Sequence, residues 1–165
     1  MKLFRNQKGF TLIELLVVIG ILAVLLAITL IAINPARQFS QANDTKRSSD
    51  VNAILNAVNQ YMADHQGSLP TDLSGCTAAL PCELSGVAST AEAPTVNICA
   101  ELVSGYLAAL PVDPLTSSGT AITEADCATA YSTNYTIFQS TSNNRLTVAA
   151  PAVEITENDP IAVTR

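Results

Sequence analysis

The sequence has few of the side chains on which catalytic and zinc sites are commonly built. It contains a single histidine, His65, and its four cysteines lack a Cys-x-x-Cys spacing. A catalytic histidine needs a nucleophile and an orienting group, and structural zinc sites use four Cys or His ligands. We therefore expect no zinc site and no enzymatic activity. His65 is expected to cap a helix C-terminus or to lie on the surface.

Basic residues are also scarce after position 47. Only Arg145 and Arg165 follow, against twelve acidic residues from position 50 to position 159. Nucleic-acid binding depends on clustered Lys and Arg, so no nucleic-acid partner is expected.

Three basic residues precede an apolar run instead, namely Lys2, Arg5 and Lys8. By the positive-inside rule, this asymmetry places the N-terminus in the cytoplasm and the rest of the chain outside.

The apolar run dominates the N-terminal part of the chain. It extends over 24 residues, from Phe10 to Ile33, and is interrupted only by Thr11, Glu14, Gly20 and Thr29. About 20 apolar residues span the hydrocarbon core of a bilayer. The run therefore predicts a transmembrane helix.

Glu14 is the only ionisable residue in this run. A charge at bilayer depth costs about 2.5–3.5 kcal/mol on insertion scales and marks a functional site by default. Cleavage between Gly9 and Phe10 would create an α-amino group one helical turn from Glu14 of a neighbouring subunit. The pattern therefore predicts a processed subunit that assembles with copies of itself.

Two simpler interpretations explain less. A secretory signal has an apolar core of about 7–15 residues followed by a small-residue cleavage site, whereas this run is longer and ends in the unsuitable segment Ile33-Asn34-Pro35-Ala36. An ordinary single-pass anchor fits the length of the run. It gives no reason for Glu14 or for the Gly9-Phe10 pair.

The segment Lys8-Gly9-Phe10-Thr11-Leu12-Ile13-Glu14, followed by a long apolar helix, resembles the class III signal of type IV pilins and type II secretion pseudopilins. In that family a prepilin peptidase cuts after the glycine and methylates the new N-terminus. The glycine corresponds here to Gly9 and the new N-terminus to Phe10. The resemblance implies that Phe10 and Glu14 act in assembly of a helical homo-oligomeric filament. An inner-membrane platform protein and a cytoplasmic ATPase are the other implied partners.

The resemblance also implies a location and a fold. The protein would be a single-pass inner-membrane protein and then part of a cell-surface or periplasmic filament. The implied α+β fold is a pilin-like lollipop, in which a long N-terminal helix packs on a small antiparallel β-sheet head. Four segments follow from it: a leader peptide over 1–9, a transmembrane and filament-core helix over 10–33, the amphipathic half of the long helix over 34–66, and an extracytoplasmic globular head over 67–165.

Helix-breaking residues within the chain support this division. Asn34-Pro35 predicts a kink or local opening of the helix at Pro35, because proline lacks the amide proton and crowds the preceding turn. Apolar residues then recur at three- and four-residue spacing until Gln66-Gly67. In the head, we expect a loop over 70–94, a short helix over 95–110, a hairpin of strands 131–139 and 145–150, and a third strand over 152–156.

Short segments of the head also resemble the major pseudopilin. They are Gly67-Ser68-Leu69-Pro70, Gly105-Tyr106-Leu107 and Leu110-Pro111-Val112-Asp113-Pro114. In that protein, the loop before the hairpin holds a calcium ion, which implies a calcium site at Asp113, Glu124 and Asp126. Calcium prefers oxygen ligands, but ordinary solvated acids explain the same residues.

The four cysteines lie in the part expected outside the cytoplasm, where thiols oxidise. Their even number suggests two disulfides, and four cysteines allow three pairings. We favour Cys76–Cys82, which closes a small loop, together with Cys99–Cys127, which ties the short helix to the strand region.

A second function class stays open at this point. A membrane-anchored module could bind a ligand through its disulfide-tied head and never polymerise. A membrane-tethered hydrolase is disfavoured because no catalytic set is visible. The residues do not separate a pilus from a secretion filament, a major from a minor subunit, or adhesion, motility, secretion and DNA uptake as the end use.

Overall fold

The computed structural model describes residues 9–70, 73, 75–87, 94–158 and 160–165. The leader peptide predicted over 1–9 lies outside these residues except for Gly9. The chain divides into two compact units, Met1–Phe39 and Ser40–Arg165, and each is described by itself.

The first unit consists mainly of helix α1, Leu12–Ile33. Thr11 forms its N-cap through a reciprocal capping box with Glu14, which satisfies backbone donors that the first turn leaves open. No residue of α1 is buried. Among the described residues, α1 is the one helix long and apolar enough to cross a membrane. The predicted long apolar N-terminal helix is therefore confirmed.

The interruption predicted near Pro35 is a complete break between two helices. Asn34 adopts a left-handed conformation with φ 46° and ψ 76°, and helix α2 then extends over Pro35–Asp64. Pro35 is the first residue of α2, a position where the missing N–H leaves no intrahelical bond unmade. Gln66 and Gly67 both have positive φ after the end of α2.

The second unit contains the rest of α2 and a five-stranded sheet. The strands are β1 (Cys82–Ser85), β2 (Thr95–Val96), β3 (Ser132–Gln139), β4 (Leu146–Ala150) and β5 (Ile161–Thr164). Their order in the sheet is β2-β1-β3-β4-β5. The expected antiparallel pairing holds for β1–β3, β3–β4 and β4–β5, whereas β1 and β2 are parallel. The α+β class is confirmed, with a mixed sheet.

The segment predicted as a loop over 70–94 contains β1. Its four residues, Cys-Glu-Leu-Ser, are too short to show a strand period, and the strand is stabilised by its pairing with β3. The predicted helix over 95–110 was also wrong in extent. Thr95–Val96 forms β2, and helix α3 spans only Cys99–Leu102 before Ser104 takes φ 70°.

The third strand was predicted over 152–156 but lies at Ile161–Thr164. The backbone N–H groups of Glu154 and Ile155 donate to the Asp44 carboxylate at 3.1 and 3.0 Å. These amides therefore cannot join the sheet, and the chain makes a 3₁₀ turn over Thr156–Asn158 before β5 begins.

One hydrophobic core joins α2 and the sheet. The apolar stripe predicted on α2 supplies Val51, Ile54, Leu55 and Val58, all fully buried. Tyr135 of β3 packs in the same core and donates its hydroxyl to Asp50 of α2 at 2.8 Å. Other core residues are Leu84, Ile98, Leu102, Leu110, Ile137 and Val148. The core fixes the face of α2 on which the head is built.

Gly86 follows β1 where the chain packs tightly. A Cβ there would lie 2.7 Å from both the Thr129 carbonyl oxygen and the Tyr131 ring. We expect Gly86→Ala to lower the free energy of unfolding by about 1–3 kcal/mol, as overpacking commonly does. Urea unfolding of the full chain in detergent measures this. Gly105→Ala, with open space at its Cβ, is the control, and equal stability of the two variants would contradict the described packing.

Candidate processing and assembly site

The predicted processing residues precede α1 and are open to solvent. Gly9 has no heavy atom within 4 Å of a built Cβ position, and the Phe10 residue is 88% exposed. Nothing in the described structure blocks access to the peptide bond between them. Cleavage at this bond stays a prediction.

Glu14 is held over the first turn of α1 by Thr11. The Thr11 backbone N–H and hydroxyl donate to Oε2 of Glu14 at 2.8 and 2.6 Å. The Glu14 N–H donates in return to the Thr11 hydroxyl at 3.3 Å. The partial positive charge of a helix N-terminus also favours a carboxylate here. Both stabilising effects leave the net charge of Glu14 in place, so its neutralisation in an apolar environment needs either a proton or a cation from outside α1.

Phe10 and Glu14 are close in sequence and lie at the same end of an uncovered apolar helix. The large side chains of α1 are exposed around its whole circumference. A helix that is hydrophobic on every side is stable only inside a membrane or among other proteins. The arrangement therefore combines a place for cleavage, one acid and a surface that needs a cover.

A second cluster of charges lies in the second unit, between α2 and the head, and the sequence reasoning missed it. Arg47 of α2 is fully buried. Its Nε and Nη2 donate to the two carboxylate oxygens of Asp113 at 2.6 and 3.2 Å. Its Nη1 donates to Asp44 at 2.8 Å and to Glu154 at 3.0 Å. The cluster joins α2 to the loop before β3 and to the connection between β4 and β5.

The carboxylates keep Arg47 charged. Burial by itself lowers the pKa of Arg47, but hydrogen bonds to Asp113, Glu154 and Asp44 outweigh burial and raise the pKa above its ordinary value. A signal for this buried cation was present in the sequence. Arg47 stands four residues before Val51, on the same stripe as the core residues of α2.

The three acids predicted to bind calcium are not brought together. Both oxygens of Asp113 contact Arg47. Asp126 accepts from the Thr123 hydroxyl and N–H, and these bonds lower its pKa. Glu124 is exposed in a 3₁₀ turn. In the described part of the chain, no group of three or more His, Cys, Asp or Glu could hold a metal ion. Calcium binding stays a prediction that this arrangement does not support.

The cysteines form the two disulfides of the favoured pairing. Cys76 is bonded to Cys82 and Cys99 to Cys127, with Cα atoms 5.1 and 5.3 Å apart. His65 lies exposed just after α2, where its ring stacks on Tyr61 with centroids 3.9 Å apart. It is therefore a surface group at the helix end, as expected.

Comparison with known proteins places the chain in a family. Residues 4–30 match the prokaryotic N-terminal methylation motif. The chain is 33% identical to the type II secretion system core protein G of Escherichia coli over 116 residues, which cover 69% of this chain and 70% of that protein. It is 34% identical to core protein G of Pseudomonas aeruginosa over 112 residues, 67% of this chain and 69% of that protein.

A pilus component is also similar. The chain is 43% identical to the type IV wide pilus major component of Thermus thermophilus over 61 residues, 37% of this chain and 45% of that protein. No solved structure matches at a significant level. The chain belongs to the family of type IV pilins and type II secretion pseudopilins. The suspected resemblance is confirmed.

Loss of one carboxylate from the Arg47 cluster should destabilise the head. Asp113→Ala leaves the buried Nε and Nη2 donors of Arg47 without this acceptor, while Asp44 and Glu154 still compensate its charge. An unsatisfied buried donor costs about 1–3 kcal/mol and more when it is charged, so we expect a loss of about 3 kcal/mol of unfolding free energy. Glu124→Ala is the control, since a solvated surface acid changes stability by only about 0.5 kcal/mol. Denaturant unfolding of both full-length variants in detergent measures the difference. A result for Asp113→Ala within the range of the control would show that Arg47 does not depend on this partner.

Proposed function

We propose that this protein is a structural, non-enzymatic subunit of a type IV pilus or a type II secretion-like filament. The observation that carries the proposal is α1 itself. It is apolar and exposed on every side, and its one acid stands in the first turn just after Gly9 and Phe10. A membrane covers such a helix in a single subunit, and the helices of other copies cover it in a filament.

Processing comes first in the proposed mechanism. A prepilin peptidase cuts after Gly9 and methylates the α-amino group of Phe10. Residues 10–33 hold the processed chain in the inner membrane, with the N-terminus in the cytoplasm and the head outside. The new amino group is the cation that α1 lacks.

During assembly, the lipid around α1 is replaced by the α1 helices of other subunits. The Phe10 amino group of one subunit neutralises Glu14 of a neighbour as their α1 helices pack. This pairing favours the docked state, because an opposite charge at close range offsets the cost of keeping the Glu14 carboxylate in apolar surroundings. An inner-membrane platform protein and an assembly ATPase drive the extraction of each subunit.

The relatives support the proposal at the level of the filament. The names of two of them refer to a secretion system and that of the third to a pilus. The charged cluster and the disulfides of the head have structural roles. They do not distinguish a pilus from a secretion filament.

The first experiment determines the N-terminal residue of the protein recovered from membranes and from the sheared surface fraction. Mass spectrometry of the terminal peptide should find methylated Phe10. An intact Met1 would instead indicate an anchored module that does not polymerise. A new terminus near Ala36 would indicate secretion after removal of the whole apolar run. Either of these two results contradicts the proposal.

A second experiment separates processing from assembly. Glu14→Ala should leave cleavage after Gly9 intact and lower the filament yield at least about tenfold, because loss of a desolvated charge pair costs more than about 1.4 kcal/mol. Electron microscopy and immunoblots of sheared material measure the yield.

Thr29→Ala is the matched control in the same helix. Its hydroxyl donates to the Leu26 carbonyl oxygen at 2.9 Å and so has a partner within α1. This variant should assemble like the wild-type protein. If Glu14→Ala also assembles normally, Glu14 has no role in docking.

A further inference from the structure

Two exposed aromatic side chains stand on opposite sides of the apolar run. Phe10, just before α1, is 88% exposed, and Phe39, in the first turns of α2, is 72% exposed. The other described aromatic residues all lie in the core of the second unit or pack against it, namely Tyr61, Tyr106, Tyr131, Tyr135 and Phe138. In the described part of the chain, exposure of a large aromatic ring is therefore confined to the two sides of the apolar run.

The spacing of the two exposed rings matches the thickness of a bilayer. Phe10 and Phe39 are 29 positions apart, which corresponds to roughly 40–45 Å measured along the helices at about 1.5 Å per residue. A bilayer with its headgroup regions is about 40–45 Å thick. When the apolar run spans the hydrocarbon, each ring therefore lies near one of the two boundaries between lipid and water.

The surroundings of Phe39 also suit such a boundary. Arg37 is exposed in the same turn and is the first basic residue after the apolar run. An arginine near the end of a membrane span places its guanidinium at the headgroups while its stem lies along apolar surface. Positions two apart lie on different sides of a helix. Arg37 and Phe39 can therefore contact lipid on different sides of one turn.

The cover that Phe39 needs is continuous with the cover that α1 needs. Phe39 is the last residue of the first unit, and the first buried residue of α2 is Asp44. A single exposed apolar side chain on a soluble surface requires no explanation, but Phe39 extends a helix surface that is apolar on every side. Lipid that surrounds the apolar run reaches Phe39 without any further partner.

We propose that Phe39 is an interfacial anchor, whose ring lies at the boundary between lipid headgroups and acyl chains while Arg37 donates to lipid phosphates. Phe10 is its counterpart at the other end of the span. Aromatic and basic side chains at the two boundaries fix the tilt and rotation of a membrane helix. The inference rests on the membrane-anchored subunit of the proposed function, and it names the residues that fix this subunit in lipid before assembly.

Fluorescence of an introduced tryptophan tests the position of Phe39. The chain contains no tryptophan, so the Phe39→Trp variant has one emitter. The full-length variant is reconstituted into vesicles of phosphatidylcholine and phosphatidylglycerol that contain lipids brominated near the headgroup end or near the tail end of the acyl chains. Bromine quenches tryptophan only at short range. We expect a larger loss of emission with bromine near the headgroup end.

Three further variants serve as references. Leu22→Trp, in the middle of α1, should be quenched most by bromine near the tail end. Leu115→Trp, at an exposed apolar residue of the head, should be quenched by neither lipid. Adding Arg37→Gln to Phe39→Trp should weaken the quenching near the headgroup end, because a neutral amide binds phosphate less strongly than a guanidinium does. Unchanged quenching in this double variant would contradict the role assigned to Arg37.

The results at Phe39 decide the proposal. Quenching like that of Leu115→Trp would place the ring in water and contradict the anchor. Quenching like that of Leu22→Trp would place the ring deep in the hydrocarbon, which also contradicts it. The vesicle measurement needs neither cleavage nor filaments. An intact Met1 in the native protein, together with quenching of Phe39→Trp near the headgroup end, would therefore overturn the proposed function and support the anchor.

Discussion

The head depends on one buried cation. Arg47 is fully buried, and its guanidinium reaches carboxylates from α2 itself, from the loop before β3 and from the connection between β4 and β5. A charge in that position is tolerated only if every donor finds an acceptor. The requirement extends outward, because Asp113 also accepts from Leu115 N–H and Asp44 accepts from two backbone amides. Two connecting segments outside the sheet are thereby fixed on α2.

In contrast to Arg47, the charged and apolar groups of α1 have few partners. Its acid, Glu14, has donors only from Thr11 among the described residues, and its apolar side chains have no cover within their own unit. Among the described residues, the buried charge and the core of the head therefore have their partners, whereas α1 lacks both a cation for its acid and a cover for its apolar surface. A subunit whose missing cation and missing cover can both come from another copy of itself is suited to polymerisation, which is why the first turn of α1 says more about function than the core does.

The sequence was informative where short-range patterns decide the structure. The length of the apolar run, the three- and four-residue spacing of the stripe on α2 and the β-branched and aromatic residues of β3 are local features that physical chemistry explains. The sequence was silent where distant partners decide. β1 is a strand because β3 pairs with it, and the segment after Ala150 leaves the sheet because the N–H groups of Glu154 and Ile155 donate to Asp44. Neither partner is visible from the segment itself.

Asp113 shows how the same limit affects the interpretation of function. As an acid in a loop, it was a reasonable calcium ligand, since loop carboxylates are what calcium prefers. Its partner is an arginine 66 residues earlier, on a helix face that continues with apolar side chains from Val51 onward. A charged residue at a core position of an amphipathic helix requires a buried counter-ion, and the nearest loop acids are the candidates. Had Arg47 been assigned to the core by its spacing from Val51, the structural role of Asp113 would have competed with the metal site from the start.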